Sequence, residues 1–166
     1  MKHSSNIIDA LNEQIQAELN SFYKYLGMAA FCDGEKYHGS ASWLRLQSQE
    51  EFGHAMKLYH FLVSRDSPVQ LGSLDPPNQK FGSIVEVFET ALSQEQEISD
   101  RINKLYRIAI EERAFATSVE LQWFLTEQVE EEKTVRDLVF RLRKIKGDPA
   151  AMLDLDRELG QRGAAS

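Results

Sequence analysis

The chain has 166 residues, of which 42% are hydrophobic and 27% are charged, and its formal net charge is -7 at pH 7. This composition excludes a disordered chain and predicts a single domain over residues 1–166, long enough to enclose a full core. The acidic balance argues against nucleic acid and acidic membranes as partners, and it suits a soluble protein or one that handles cations.

Cysteine usage and the N-terminal sequence favour a reducing compartment. Cys32 is the single cysteine, so the chain can form neither an intrachain disulfide nor a Cys-x-x-Cys metal site. The N-terminus becomes polar too soon for a signal peptide, and no apolar run approaches the ~20 residues of a membrane span. We therefore expect a cytoplasmic protein without a membrane partner.

Helical periodicity predicts a first helix that begins at Ser4 or Ser5 and ends at the Asp33-Gly34 pair. Glu18 interrupts its core-facing positions, which are otherwise apolar. Those positions are Ile8, Leu11, Ile15, Phe22, Tyr25, Ala29 and Cys32.

A second helix is predicted to begin between Glu35 and Ser40, and the short loop before it indicates an antiparallel hairpin. Glu51 and His54 lie three residues apart on its inward face, with Glu50 beside them on the flank. The other core-facing positions are Leu44, Gln47, Leu58 and Phe61.

The stretch from Arg65 to Gly82 is predicted to be a loop, because it contains three of the chain's four prolines and lacks periodicity. Extended at roughly 3.3 Å per residue, it can span the full length of a helix of the predicted size. The loop can therefore cross the whole bundle, which makes the second and third helices parallel.

The third helix opens at Ser83, with Glu86 at the spacing of a capping box. Glu95 is the only polar residue among its predicted core-facing positions. The others are Ile84, Phe88, Ala91, Ile98, Ile102, Leu105 and Ala109.

An interruption at Glu112 to Ala114 separates the third helix from a fourth, which ends near Lys146-Gly147. Gln128 and Glu131 occupy positions of the fourth helix where apolar residues belong. The remaining core-facing positions are Thr117, Leu121, Phe124, Val135, Leu138, Leu142 and Ile145.

Asp148 as N-cap and Pro149 at the first position predict a short fifth helix. Its apolar side consists of Met152, Leu155 and Leu159, and the residues from Gln161 to Ser166 are expected to fray. The predicted fold is all-α, a four-helix bundle with a long crossover between the second and third helices and a short C-terminal fifth helix.

Each long helix breaks its apolar pattern near mid-length, so the polar side chains can meet at one level. A buried carboxylate without a partner is costly, and four of them together require cations. Carboxylates and one imidazole, without thiolate, suit iron or manganese better than copper. The set is Glu18, Glu51, His54, Glu95, Gln128 and Glu131. Glu51 is the expected bridge between two metals, with Glu18 and His54 on one metal and Glu95 and Glu131 on the other. Gln128 is expected to be a weaker ligand of the second metal.

Other readings of single residues stay open. A lone polar core residue can specify helix register, and a metal-free helical interaction module is a competing interpretation of the whole chain. Tyr25 lies two turns from Glu18 and can hydrogen-bond a ligand, give up an electron or simply fill the core. Glu50, Glu127 and Glu130 flank the core-facing residues and also fit an ordinary solvated helix surface.

Three stretches resemble the bacterial non-haem ferritins: LNEQIQAELNSFYKY, QEEFGHAM and LQWFLTEQVEEEK. The resemblance extends over nearly the whole chain, including the crossover and the fifth helix. It implies a homo-oligomeric hollow shell of 24 subunits that oxidises Fe(II) with dioxygen or hydrogen peroxide and stores Fe(III) mineral. A runner-up in the same fold is a di-iron or di-manganese oxidase or peroxide scavenger that stores nothing.

The resemblance also implies roles for individual residues. Its first iron site corresponds to Glu18, Glu51 and His54, and its second to Glu51, Glu95 and Glu131 with Gln128 nearby. A third iron site corresponds to Glu50, Glu127, Glu130 and Glu131. Haem is not expected, because Gln128 and Glu131 replace the second Glu-x-x-His of the haem-binding relatives and Phe52 stands where they have Met.

Overall fold

Five α-helices make up the chain in a computed structural model that describes residues 4–163, and no strand occurs in that range. The predicted all-α fold is confirmed, with a four-helix bundle, a long crossover and a short fifth helix. No helix within 4–163 is both long and apolar enough to cross a membrane. The helices are α1 (Ser5–Gly34), α2 (His38–Ser64), α3 (Ile84–Glu111), α4 (Phe115–Ile145) and α5 (Pro149–Leu159).

Side-chain caps explain where α1 and α3 begin. The Ser4 hydroxyl accepts a hydrogen bond from the Ile7 backbone N–H at 3.2 Å, and the Ser83 hydroxyl accepts one from the Glu86 N–H at 3.2 Å. The Glu86 carboxylate accepts from the N–H of Gly82, at 2.5 Å, whereas in a standard capping box it would accept from Ser83. The predicted start of α3 at Ser83 is confirmed, and only the donor to the Glu86 carboxylate differs, being Gly82 instead of Ser83.

The crossover, residues 65–83, runs along α1 in the same direction as α1. Its contacts advance with residue number: Asn12 with Pro68 and Gln70, Gln16 with Gly72 and Ser73, and Gly27 with Pro77 and Asn78. A Cβ atom on Gly27 would lie 2.5 Å from the Asn78 carbonyl oxygen, so this close approach requires glycine. The crossover therefore returns the chain to the far end of α1, and α3 runs parallel to α2.

The core consists of two apolar clusters with a polar layer between them. One cluster contains Tyr25, Trp43 and Phe88, and the other contains Leu11 and Phe124. Two positions near helix ends are shifted from the predicted pattern: Ile7 is buried where Ile8 is expected, and Leu62 where Phe61 is expected. In the middle of α1, Ser21 is buried and the predicted core residue Phe22 is only partly buried. Such one-residue shifts arise because packing against a neighbour, not the ideal period, decides which side chain turns inward.

The fifth helix docks on the start of α2. The Asp156 carboxylate accepts hydrogen bonds from the Gly39 N–H at 3.1 Å and from the Ser40 N–H at 2.7 Å. It thereby caps α2, whose own N-cap residue, Tyr37, makes no side-chain cap bond. A Cβ atom on Gly39 would lie 1.7 Å from the Asp156 carbonyl oxygen, so the docking depends on glycine there.

The expectation of a frayed tail is wrong for its described part. Arg162 donates hydrogen bonds to the Gln47 side-chain oxygen at 3.0 Å and forms an ion pair with Glu50 at 2.8 Å, and its guanidinium lies 4.6 Å from the centroid of the Trp43 ring. The reason is that α5 ends beside α2, where an acid, an amide and an aromatic face are available to one arginine. The rest of the predicted tail, 164–166, lies outside the described residues.

Candidate metal centre

The polar layer brings together the side chains that the sequence places at mid-helix. Glu18, Glu51 and Glu95 are completely buried, and His54 and Glu131 are nearly so. Ligand atoms lie within 4.8 Å of one another in two groups that share Glu51. We call them the first group, Glu18 with Glu51 and His54, and the second group, Glu51 with Glu95 and Glu131.

In the first group, three ligand atoms face one another without a partner. Glu18 Oε2, Glu51 Oε2 and His54 Nδ1 are buried and have no hydrogen-bond partner among the described residues. His54 Nδ1 lies 3.9 Å from each of the two oxygens, which is too long for a hydrogen bond. Two ligands that each lie about 2.1 Å from one ion can be up to about 4.2 Å apart, so this spacing fits a shared cation.

Two buried glutamines orient the acids of α1 and α2. Gln14 donates to Glu18 Oε1 at 2.8 Å, one turn along α1. Gln47 donates to Glu131 Oε2 at 2.7 Å and, more weakly, to Glu51 Oε1 at 3.4 Å. Neither glutamine is among the residues predicted for the metal site, although each stands four residues before an acid, a spacing that places both side chains on one helix face.

In the second group, protein donors already hold Glu95. The Tyr25 hydroxyl donates to Glu95 Oε1, and the Gln128 amide nitrogen lies 3.3 Å from Glu95 Oε2 and 3.2 Å from the Ser99 hydroxyl. Burial, together with the Glu95 and Glu51 carboxylates, raises the pKa of Tyr25 well above its usual value. Tyr25 therefore remains a protonated donor, and Gln128 presents its nitrogen to Glu95.

Burial dominates the electrostatics of the layer. It raises the pKa of Glu18 to about 7, and burial with the nearby Glu95 carboxylate raises the pKa of Glu131 to about 8. Burial raises the pKa of Glu51 well above its usual range, and repulsion from the Glu95 and Glu18 carboxylates adds to this rise. Burial lowers the pKa of His54 to about 4. Without a cation the acids hold protons near neutral pH, and a cation that binds must displace them.

The flanking acids separate into three different environments. Glu127 lies with His54 and Glu131 in a further group whose ligand atoms are within 4.8 Å of one another. Glu50 is paired with Arg162. Glu130 is exposed and belongs to none of the metal-ligand groups among residues 4–163.

Known proteins share this fold and are similar to the chain in sequence. Residues 8–145 match the ferritin family, described as a ferritin-like domain. The chain belongs to the ferritin family. It is 38% identical over 159 residues to the bacterial non-heme ferritin of Staphylococcus aureus and 35% identical over 159 residues to that of Staphylococcus haemolyticus, covering 96% of each protein and 96% of this chain in both cases.

Solved ferritin structures superimpose closely on this ferritin chain. The open pore ferritin of the hyperthermophilic archaeon Archaeoglobus fulgidus matches with a TM-score of 0.95 and 41% identity, over 96% of this chain and 99% of that one. A humanized archaeal ferritin matches with a TM-score of 0.98 and 39% identity, over 99% of this chain and 100% of that one. The family resemblance expected from the three motifs is thus confirmed.

Proposed function

We propose that this chain is an iron-storage ferritin subunit that oxidises Fe(II) at the paired groups of the polar layer. The observation that carries the proposal is the convergence of three buried, partnerless ligand atoms from Glu18, Glu51 and His54. Burying such atoms is costly unless a cation binds them, so the fold keeps them for a ligand. The second group, with Glu51 in common, provides the place for a second Fe(II).

The chemistry needs two electrons from two ions. Each Fe(II) loses one electron, and dioxygen gains two electrons and two protons to become hydrogen peroxide, or hydrogen peroxide itself is reduced to water. Glu51 would hold both ions and so would limit their separation, because its carboxylate belongs to both groups. Tyr25 and Gln128 keep Glu95 oriented, and the four carboxylates lose their protons when the cations bind, which offsets the charge of the metal.

Storage requires a container, and the exposed apolar surface supports assembly. Several large apolar side chains are exposed in the isolated chain and would be covered where copies of the chain pack together. We propose a homo-oligomeric shell of 24 copies, in the cytoplasm, that encloses Fe(III) mineral. The exposed side chains include Val63, Leu71, Phe115, Val119, Phe140 and Leu153.

The flanking acids support a third iron site beside the pair. Glu127 shares a ligand group with His54 and Glu131, so an ion leaving the pair meets a further carboxylate. Burial raises the pKa of Glu127, and repulsion from the Glu50 and Glu130 carboxylates raises it further, so these three acids are close enough to act on one another. Glu130, being exposed, is expected to act through its charge more than as a direct ligand.

The test measures the assembled mass of the purified protein and its near-ultraviolet absorbance after Fe(II) and air. We expect a shell and rapid oxidation, with slow oxidation in Glu51→Ala and a parent-like initial rate in Glu130→Ala. Parent-rate oxidation by Glu51→Ala contradicts the proposed centre. Rapid oxidation without a shell or iron retention favours the oxidase or scavenger alternative.

A further inference from the structure

Arg162 brings a fixed positive charge to the edge of the metal centre. Its guanidinium pairs with Glu50 at 2.8 Å, and the two side chains are only 23% and 21% exposed, so solvent screens the pair incompletely. It also donates to the Trp43 carbonyl oxygen at 3.4 Å and lies over the Trp43 ring. These contacts from an acid, a carbonyl and an aromatic face hold the guanidinium in one place.

Arg162 also fixes the orientation of Gln47. A guanidinium can only donate hydrogen bonds, so the oxygen of the Gln47 amide must face Arg162. The amide nitrogen then faces the carboxylates of Glu131 and Glu51, as observed. The residues after α5 are thereby connected to the buried acids through a single side chain.

Glu50, like Glu130, is a flanking acid that is missing from the neighbouring ligand group. Glu127 and Glu131 have ligand atoms within 4.8 Å of each other and of His54, but Glu50 joins none of the groups found among the described residues. Glu50 is nevertheless close enough for its charge to act on both Glu127 and Glu131. Its carboxylate is held by Arg162 instead.

We propose that Arg162 is an internal counter-cation that holds Glu50 and withholds it from a metal ion at Glu127 and Glu131. The inference rests on the proposed function, because it concerns the ion that lies beside the oxidising pair. A third ion must compete with the guanidinium for Glu50 and also meets its repulsion. Arg162 thus weakens the third site relative to the pair and favours onward movement of the ion.

The experiment titrates Zn(II), which is not oxidised, into the assembled metal-free protein and follows binding by calorimetry. Arg162→Gln removes the charge that holds Glu50, and we expect the third ion to bind about tenfold more tightly, since one more carboxylate is then available to it. The two tighter events should change less than the third, because Arg162 contacts their ligands Glu131 and Glu51 only through Gln47. Introducing Glu50→Gln into Arg162→Gln should abolish the gain.

Arg157→Gln is the matched control. It removes the same charge from the same C-terminal region, but Arg157 is exposed and forms its ion pair with Asp154, at 3.1 Å, and not with Glu50. We expect parent-like binding. A third event in Arg162→Gln that is absent, unchanged or weaker overturns the proposal.

If Arg162→Gln does not assemble, two variants that retain Arg162 decide the question. Glu127→Gln should weaken binding of the third ion more than Glu50→Gln does, because the proposal makes Glu127 a direct ligand whereas Glu50 is already paired with Arg162. Equal weakening overturns the proposal. Since zinc binding requires no oxidation, a protein that fails to oxidise Fe(II) contradicts the proposed function without affecting this comparison.

Discussion

The first and second groups share Glu51 but differ in what already holds their other ligand atoms. Glu18, Glu51 and His54 each present one buried atom without a partner, whereas Glu95 accepts hydrogen bonds from Tyr25 and Gln128, and Glu131 accepts one from Gln47. A cation entering the first group displaces no protein hydrogen bond. A cation in the second group competes with donors, so we expect the first group to bind its ion more tightly.

The difference also separates two reasons for burying an acid. In the second group, donors from neighbouring helices reduce the cost of burial, so those acids also hold the helices in register. In the first group, the three partnerless atoms have no such donor among the described residues. The proposed function expects such atoms, because it keeps this site for a ligand at the expense of stability.

The largest expected effect comes from removing the imidazole of the first group. His54→Ala should weaken the tighter metal-binding event by about 100-fold or more, beyond the 10- to 100-fold typical of residues that only support a ligand. Stepwise Zn(II) titration measures it, with His60→Ala, an exposed histidine of α2, as the matched control. If His54→Ala instead weakens only the weaker event, the assigned order of the two groups is reversed.

The metal-free protein should lose stability as the pH rises from about 6.5 to 8. The folded-state pKa values of Glu18 and Glu131, about 7 and about 8, exceed the usual 4.5, so the folded state binds more protons and its advantage is lost as the pH rises through those values. His54, with its lowered pKa, acts oppositely but only below about pH 6.5. We expect a loss of about 1 to 3 kcal/mol in denaturant unfolding.

Saturating Zn(II) provides the control for that pH series. A bound cation requires deprotonated carboxylates, so the zinc-loaded protein should become more stable, not less, over the same interval. A metal-free protein whose stability is flat or rises from pH 6.5 to 8 would mean that the buried acids are ionised and compensated within the protein.

A leucine substitution should change the free energy of unfolding differently in the two groups, in sign or in size. Glu51→Leu removes a buried acid that has one partnerless oxygen, and we expect the metal-free protein to gain about 1 to 3 kcal/mol. Glu95→Leu, by contrast, leaves the buried Tyr25 hydroxyl and the Gln128 amide without their acceptor, which costs about 1 to 3 kcal/mol and offsets the gain. Denaturant unfolding at one pH compares them, and an equal gain in both contradicts the distinction.

The smallest effect is expected at Tyr25. Tyr25→Phe removes one hydrogen-bond donor to Glu95. We expect the affinity of the second group for its ion to change by less than about tenfold, and the rate of the first Fe(II) oxidation to change little. Phe88→Leu, a substitution in the same apolar cluster, controls for packing. A large fall in the oxidation rate with unchanged metal affinity would instead identify Tyr25 as an electron donor.

Much of the fold was predictable because helix periodicity and caps are local. Ser4, Ser83 and Asp148 cap the helices that they are expected to start, and α2 begins within the predicted interval. The core-facing acids were also predictable, since a Glu in an apolar stripe is visible without knowing its neighbours. Their convergence followed from the similar depth of each interruption along four helices of similar length.

The amino-acid sequence by itself therefore determined the helices, the crossover and which acids lie inside. Only the tertiary structure decided which donors those acids meet: Tyr25 of α1 contacts Glu95 of α3, and Arg162, which follows α5, contacts Glu50 of α2. These pairings depend on the rotation of each helix and on where α5 docks, and no local pattern encodes them. The physical reason is that burial follows from one helix's own periodicity, whereas a hydrogen-bond partner is fixed by the packing of two.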